Sequence, residues 1–287
     1  MVIGHTSYAP IDNTDPPQYV QNGATAALLS RTVTANDAVL SKLHISQDHP
    51  ALKSLVKPKM SLKELAALGI QDHAIAWTVF QALWKELTAT APAAGSNQDF
   101  KPRPPILVTV DNLAHWMKYS EYRSADFKPI HAHDLVFVKH FLSLLKPGNE
   151  KPSLPNGGAL LYATSESNRP SLYSLDVALD QLKASTYGAE PSSSEFPQPD
   201  PYAKTDLRVI DAFASQKPSS AKEGKLRLQI LRGVTHREAR GYMEYFAQSG
   251  LLRENINDEW VGEKWTLSSS GVIGELEKLG KRVRVVA

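Results

Sequence analysis

The sequence of 287 residues contains no cysteine, which excludes disulfide frameworks, thiolate zinc sites, iron–sulfur clusters and thiol catalysis. Nor does it carry a large excess of charge of either sign. Its 32 basic and 30 acidic residues leave a net charge of +2, too little for a broad polyanion-binding surface. No apolar run is long enough to span a membrane. The first residues, Met1-Val2-Ile3-Gly4-His5-Thr6, have neither the basic and apolar regions of a secretory signal nor the arginines of a transit peptide, so the chain reads as starting inside a domain. Two catalytic signatures are missing as well. There is no G-x-S-x-G nucleophile elbow. There is also no glycine-rich phosphate loop ending in Lys and Ser or Thr, because Gly148-Asn149-Glu150-Lys151 and Lys222-Glu223-Gly224-Lys225 both lack the spacing.

What is present is apolar content of 42%, enough for one large domain and a small appendage. The most informative run is Ile106-Leu107-Val108-Thr109-Val110, which ends abruptly on Asp111 and Asn112. It reads as a strand buried on both faces, as in parallel sheets covered by helices, where ligands lie beyond the carboxyl ends of the strands. Asp111 would stand there, placed to hold Mg²⁺ beside nucleotide phosphates. Its neighbour is Asn112 and not the glutamate that polarises the attacking water in hydrolytic ATPases, which disfavours fast hydrolysis. A second apolar run, Gly158 to Ala163, finishes on the polar Thr164, Ser165, Glu166, Ser167 and Asn168. With a helix from His133 and Asp134 through Leu145 between them, the two runs predict a βαβ crossover whose polar strand ends lie side by side.

The rest of the chain supplies the frame. Apolar positions between Thr25 and Ile45 recur at helical spacing. Ser61 and Glu64 form a capping box for a short helix that Gly69 closes, and Asp72 can cap the next. That next helix carries Trp77, Phe80, Leu83, Trp84 and Leu87 on one face, read as core. His131-Ala132-His133-Asp134, with His115 and His140 nearby in sequence, reads as a solvated loop and helix cap in preference to a metal site. Residues 185–205, rich in Ser and Pro, read as a flexible insertion, and Asp206 to Phe213 as a short helix. These divide the chain into an α/β domain over residues 1–215 and a small α+β domain over 220–287. In the latter, Thr235 and Glu238 make another capping box, Gly250 stops the helix, and Leu251-Leu252 fold back over it. Trp260 to Leu267 reads as a strand or hairpin arm, giving a loose winged-helix likeness, and Lys278, Lys281, Arg282 and Arg284 could touch RNA phosphates or cap a solvated helix end.

Several separated stretches together resemble one family, the mitochondrial small-subunit ribosomal protein also called death-associated protein three, in its fungal form. They are Gln18-Tyr19-Val20-Gln21, Ser61-Leu62-Lys63-Glu64-Leu65 with Gly69, Ile106 to Asn112, Pro129 to Leu135, Thr164 to Asn168, Glu238-Ala239-Arg240 through Gly250-Leu251, Glu263 to Leu267, and Gly271 to Leu276. The resemblance implies a P-loop NTPase fold of the AAA+ type, with a parallel-sheet core and a small C-terminal domain. It also implies GTP or GDP with Mg as cofactor. Asp111 then falls at the Walker B carboxylate, beside Asn112, and Thr164 and Ser165 fall at the polar end of the neighbouring sensor strand. The family's Walker A loop would precede Met1. The function implied is a non-enzymatic, structural constituent of the mitochondrial small ribosomal subunit that supports translation in the matrix. Its partners would be ribosomal proteins and ribosomal RNA, with no membrane and no small-molecule substrate turned over. A nucleotide-dependent switch acting outside the ribosome, and a winged-helix nucleic-acid binder, are the alternatives.

Overall fold

A computed structural model describes residues 7–93, 100–145, 153–164, 169–214 and 226–280. The chain divides into two compact units, one of residues 1–163 with 172–227, the other of residues 164–171 with 228–287. In the first unit, β1 (Ala9–Ile11) pairs antiparallel with β2 (Gln18–Val20), and α1 (Asn22–Leu40) follows, broken at Asn36. The helical spacing read as far as Ile45 mixes two structures. Leu43 and Ile45 are buried but extended, and their backbones bond to Leu62 and Met60 (Leu43 O to Leu62 N 2.8 Å; Ile45 N to Met60 O 3.0 Å).

The Ser61 capping box forms as expected. Ser61 Oγ accepts from Glu64 N at 3.2 Å, Glu64 Oε2 accepts from Ser61 N at 2.7 Å, and α2 (Leu62–Gln71) starts there. Gly69 does not close this helix. It lies inside it, where a Cβ would meet Leu29 Cδ1 at 2.8 Å and Val79 Cβ at 3.0 Å. The glycine therefore answers to helix packing, and not to a left-handed cap. Asp72 Oδ1 accepts from Ala74 N at 2.9 Å and leads through a 3₁₀ turn into α3 (Ala76–Leu87). The stripe read as core is core: Phe80 and Leu83 are buried, and Trp77, Trp84 and Leu87 pack against the same cluster.

α3 also buries Glu86, whose side chain is 0% exposed. Its carboxylate accepts from Ser46 N (2.9 and 3.0 Å), Ser46 Oγ (2.8 Å), Gln47 N (2.7 Å) and Arg103 Nη2 (2.7 Å), and lies 2.9 Å from His49 Nε2. Burial alone would raise its pKa, but the bonds from His49, Gln47 and Ser46 outweigh that and hold it below the ordinary value. Arg103 in turn gives Nε to Glu86 O (3.0 Å) and Nη2 to His44 O (2.8 Å). This fixes the approach to β3 (Ile106–Val110).

After β3 come the hairpin β4 (Tyr119–Arg123) and β5 (Pro129–His131), then α4 (Val136–Ser143) and β6 (Gly158–Tyr162). β3 and β6 pair in parallel, Ile106 opposite Gly158 through Val110 opposite Tyr162, as the crossover reading requires. The expectation of burial on both faces is overturned. Val108 and Val110 face the core, whereas Leu107 and Leu161 are 66% and 56% exposed. The pleat alternates, and only one face of this two-stranded ribbon packs. The architecture is mixed α/β with three two-stranded sheets among the described residues. Next come α5 (Tyr173–Thr186), which the sequence reading did not anticipate, and α6 (Leu207–Phe213). The segment between them, read as a flexible insertion, contains turns and no helix or strand. It is tied to α5 by Gln181 Nε2 donating to Pro197 O (2.9 Å) and Tyr173 Oη accepting from Asp200 N.

The second unit is helical among its described residues. α7 (His236–Gln248), α8 (Asp258–Leu267) and α9 (Ile273–Gly280) enclose Ala239, Met243, Phe246, Leu252, Val261 and Leu276. The Thr235 and Glu238 capping box is present, and Gly250 (φ +73°) stops α7 so that Leu251 and Leu252 both bond back to Phe246 O. The hairpin arm read over Trp260 to Leu267 is α8. Asn257 Oδ1 accepts from Trp260 N at 2.7 Å, and Asp258 and Glu259 suit the positive end of the dipole. The winged-helix likeness thereby loses the hairpin arm it rested on, and the described residues of this unit contain no strand.

Removing one partner of a buried ion pair leaves the other uncompensated. Glu86→Ala is expected to destabilise the first unit by about 3–5 kcal/mol, checked by urea unfolding. The shape-preserving Glu86→Gln should also destabilise, since it removes the charge that Arg103 faces; a variant as stable as wild type would refute this account of Glu86.

Candidate functional site

The carboxyl ends of β3 and β6 are joined by Ala163 N donating to Val110 O (2.8 Å) and Leu113 N donating to Ala163 O (2.9 Å). Asp111 is exposed at this end. Its Oδ1 accepts from Asn112 N at 2.8 Å and its Oδ2 from Asn112 Nδ2 at 3.3 Å. Asn112 adopts the left-handed conformation (φ +59°), which asparagine tolerates, and so turns the chain sharply into the 3₁₀ segment Leu113–Trp116. Thr164 directly follows Ala163 and is exposed, and Ser165 lies outside the described residues. No group of three or more His, Cys, Asp or Glu able to hold a metal occurs among the described residues. Among the described residues at these strand ends there is one carboxylate, already engaged by its neighbour, and no phosphate cradle, so the described residues do not by themselves make up a magnesium-nucleotide site.

The most developed polar cluster lies elsewhere in the first unit. His131, expected to be solvated, is 1% exposed. Its Nδ1 accepts from His133 N at 3.1 Å, capping the 3₁₀ turn Ala132–Asp134, so the cap reading holds and the solvated reading fails. Its Nε2 points toward Asp206 Oδ2 at 3.5 Å. Asp206 caps α6 through Arg208 N (3.0 Å) and takes the Arg208 guanidinium on both oxygens (Nε 3.2 Å, Nη2 3.0 Å). Arg208 also reaches Asp134 (3.7 Å) and lies over the Tyr119 ring. A histidine beside a carboxylate resembles an acid–base dyad. Here the carboxylate is saturated by arginine and the imidazole is closed to any substrate, so the cluster works as a latch among β4, β5 and α6.

Burial holds His131 and His133 neutral, pushed down to about 4, with nearby Arg208 adding to the effect and Asp206 opposing it. His140 is lowered to about 4 by burial alone. Its ring meets the edges or faces of Trp77, Phe80, Trp84 and Phe141 at 4.9–6.1 Å between centroids.

Sequence reading missed Glu86, Arg103, Asp206 and Arg208. One signal was available, since Val79, Leu83 and Glu86 share the apolar face of α3, and a charge on such a face calls for a partner.

An α/β unit with a parallel strand pair and a second, helical unit define a two-unit α/β protein. Comparison with known proteins makes this specific. The family profile described as mitochondrial ribosomal death-associated protein 3 matches residues 1–279. The small ribosomal subunit protein mS29 of Neurospora crassa is 39% identical over 274 residues, covering 95% of this chain. The chain belongs to the mitochondrial ribosomal death-associated protein 3 family, and it spans 52% of the length of that relative.

These three histidines, His131 buried and His133 and His140 half-buried, make stability depend on pH. Their folded pKa values lie below the unfolded value near 6.5, so the unfolded chain binds more protons and the stabilisation is fully present above that value. It should be lost as pH falls from about 6.5 toward 4, with unfolding taking up as many as three protons, a limiting slope of about 4 kcal/mol per pH unit. Urea midpoints measured across this range check it, and His140→Phe should make the slope shallower.

Proposed function

We propose that this chain is a structural constituent of the mitochondrial small ribosomal subunit, acting in the matrix in support of translation. It packs among ribosomal proteins and ribosomal RNA and turns over no substrate. The observation that carries this reading is family membership across residues 1–279, joined to 39% identity with a protein named as a small-ribosomal-subunit component. Two features support it. Asp111 bonds to Asn112 where a hydrolytic site would place a water-polarising acid. Leu107 and Leu161 stand exposed on a parallel strand pair, an arrangement that ordinarily has both faces covered, which favours a chain working within a larger body.

In this reading the α/β unit is a P-loop-type domain of AAA+ likeness used as a scaffold. Asp111, Asn112, Thr164 and Ser165 mark the strand ends where the family resemblance puts GTP or GDP with Mg.

Tagged protein is expected to sediment with the small subunit in a mitochondrial extract, and its absence from that fraction would sink the proposal. Calorimetry with GDP and Mg²⁺ should show no micromolar binding to the 287-residue chain. Micromolar binding that weakens on Asp111→Ala would assign a nucleotide-switch role instead.

A further inference from the structure

The tip of the β4–β5 hairpin holds a residue that its turn does not account for. Phe127 sits in the left-handed conformation (φ +58°), a region that bulky side chains rarely adopt, and the residue is 84% exposed. The turn around it is closed by backbone bonds. Phe127 N donates to Ser124 O (2.9 Å), Ser124 N donates to Lys128 O (2.8 Å), and Lys128 N donates to Ser124 Oγ (3.2 Å). A three-residue hairpin loop of this kind takes glycine at its left-handed position. Phenylalanine there costs stability twice, through backbone conformation and through an apolar ring left in water.

The base of the hairpin is rigid. Tyr122 is buried, its hydroxyl accepts from Gln21 Nε2 at 3.0 Å, and its ring lies 4.5 Å from that of Tyr8. The Tyr8 hydroxyl donates to Arg123 O just below the tip. A fixed ribbon therefore presents a strained aromatic plate to solvent. From Lys118 to Lys128 the ribbon carries Lys118, Arg123 and Lys128 against Glu121 and Asp126, a net charge of one positive.

We propose that Phe127 is an RNA-contacting residue whose ring stacks on an unpaired base, with Arg123 and Lys128 meeting the adjoining phosphates. This deepens the ribosomal reading above and rests on it for the choice of nucleic acid. Among Ser124 to Lys128 the ring is the one large apolar group, and charged residues flank it. An aromatic anchor for a protein pocket is ringed by contacts that exclude water. A base stack needs only a bare ring face and tolerates a charged collar, because phosphates lie beside the base.

The test uses the full chain with a fluorescein-labelled single-stranded oligo(A) twelve-mer at low salt. Phe127→Gly should weaken binding by about tenfold while leaving thermal stability unchanged or raised, since it relieves the strain. Phe127→Trp should retain binding, and its added indole emission should be quenched by the oligonucleotide. Lys128→Gln should lower affinity and flatten its salt dependence. The proposal is overturned if the wild-type chain does not bind the oligonucleotide, if Phe127→Gly binds as tightly as wild type, or if the Phe127→Trp emission ignores saturating RNA. Should Phe127→Gly lose small-subunit sedimentation but keep RNA affinity, the ring belongs to a protein contact and this assignment fails. Failure of the wild type to sediment would count against the ribosomal reading alone, because the oligonucleotide arm is read separately.

Discussion

A single buried carboxylate organises the first unit. Glu86 lies on the apolar face of α3, and an ionised side chain there is tolerable only if its lone pairs are filled and its charge is met. Ser46, Gln47, His49 and Arg103 do both. The partners come from two stretches of backbone, residues 46–49 and the approach to β3, that have no helix or strand to fix them at the contact. The segment around Ser46 has left α1, and Arg103 lies three residues before β3 starts. Because Arg103 also bonds the carbonyls of His44 and Glu86, the ion pair sets where the chain enters the parallel ribbon. One nitrogen of this guanidinium, Nη1, is buried without a hydrogen-bond partner, a penalty accepted inside an otherwise satisfied network.

Downstream of that anchor, β3 and β6 run in parallel and bring their carboxyl ends together, as the crossover reading requires. The strand ends are aligned and bonded, and an acid stands at the end of β3. Asp111 stabilises the left-handed Asn112 that turns the chain into the Leu113–Trp116 segment, and Leu113, Ala114 and Trp116 are core residues. The carboxylate thus has a sufficient structural role where it stands. The same residue pattern can serve catalysis or packing, and only the surrounding groups decide between them.

Local signals in the sequence were legible where chemistry is local. Both capping boxes, the Asp72 cap, the Gly250 stop and the α3 stripe need only residues within a turn of one another, and each is present as read. The parallel pairing of β3 with β6 was legible too, because two apolar runs flanking a helix leave few topologies. Readings failed where the deciding partner was remote. Gly69 looked like a cap, but its reason is the approach of Leu29 and Val79 from other helices. His131 looked solvated until Asp206, distant in sequence, closed over it. The β3 run looked doubly buried because its composition is apolar throughout, and composition cannot say how many faces find a partner. Asn257 with Asp258 and Glu259 was a helix start that aromatic, β-branched residues downstream obscured.

The left-handed residues sort the surface by the same logic. Asn13 and Asn112 adopt positive φ with a side chain suited to it, and at Asn112 the backbone N–H donates to the Asp111 carboxylate within the turn. Gly250 and Gly271 adopt it freely, and at Gly271 a Cβ would meet Val234 O at 2.2 Å, so glycine is also sterically required. Phe127 has neither property. Its ring cannot hydrogen-bond the turn as an Asx side chain does, and it packs on nothing that would offset its exposure. Positive φ at Asn112 and Gly271 suits the residue that adopts it, whereas the left-handed place that the β4–β5 turn needs is held by a phenylalanine that the turn does not ask for. The contact proposed for that ring outside the chain would account for the choice of residue, and the hairpin tip carries that requirement more plainly than the strand ends where a ligand was first expected.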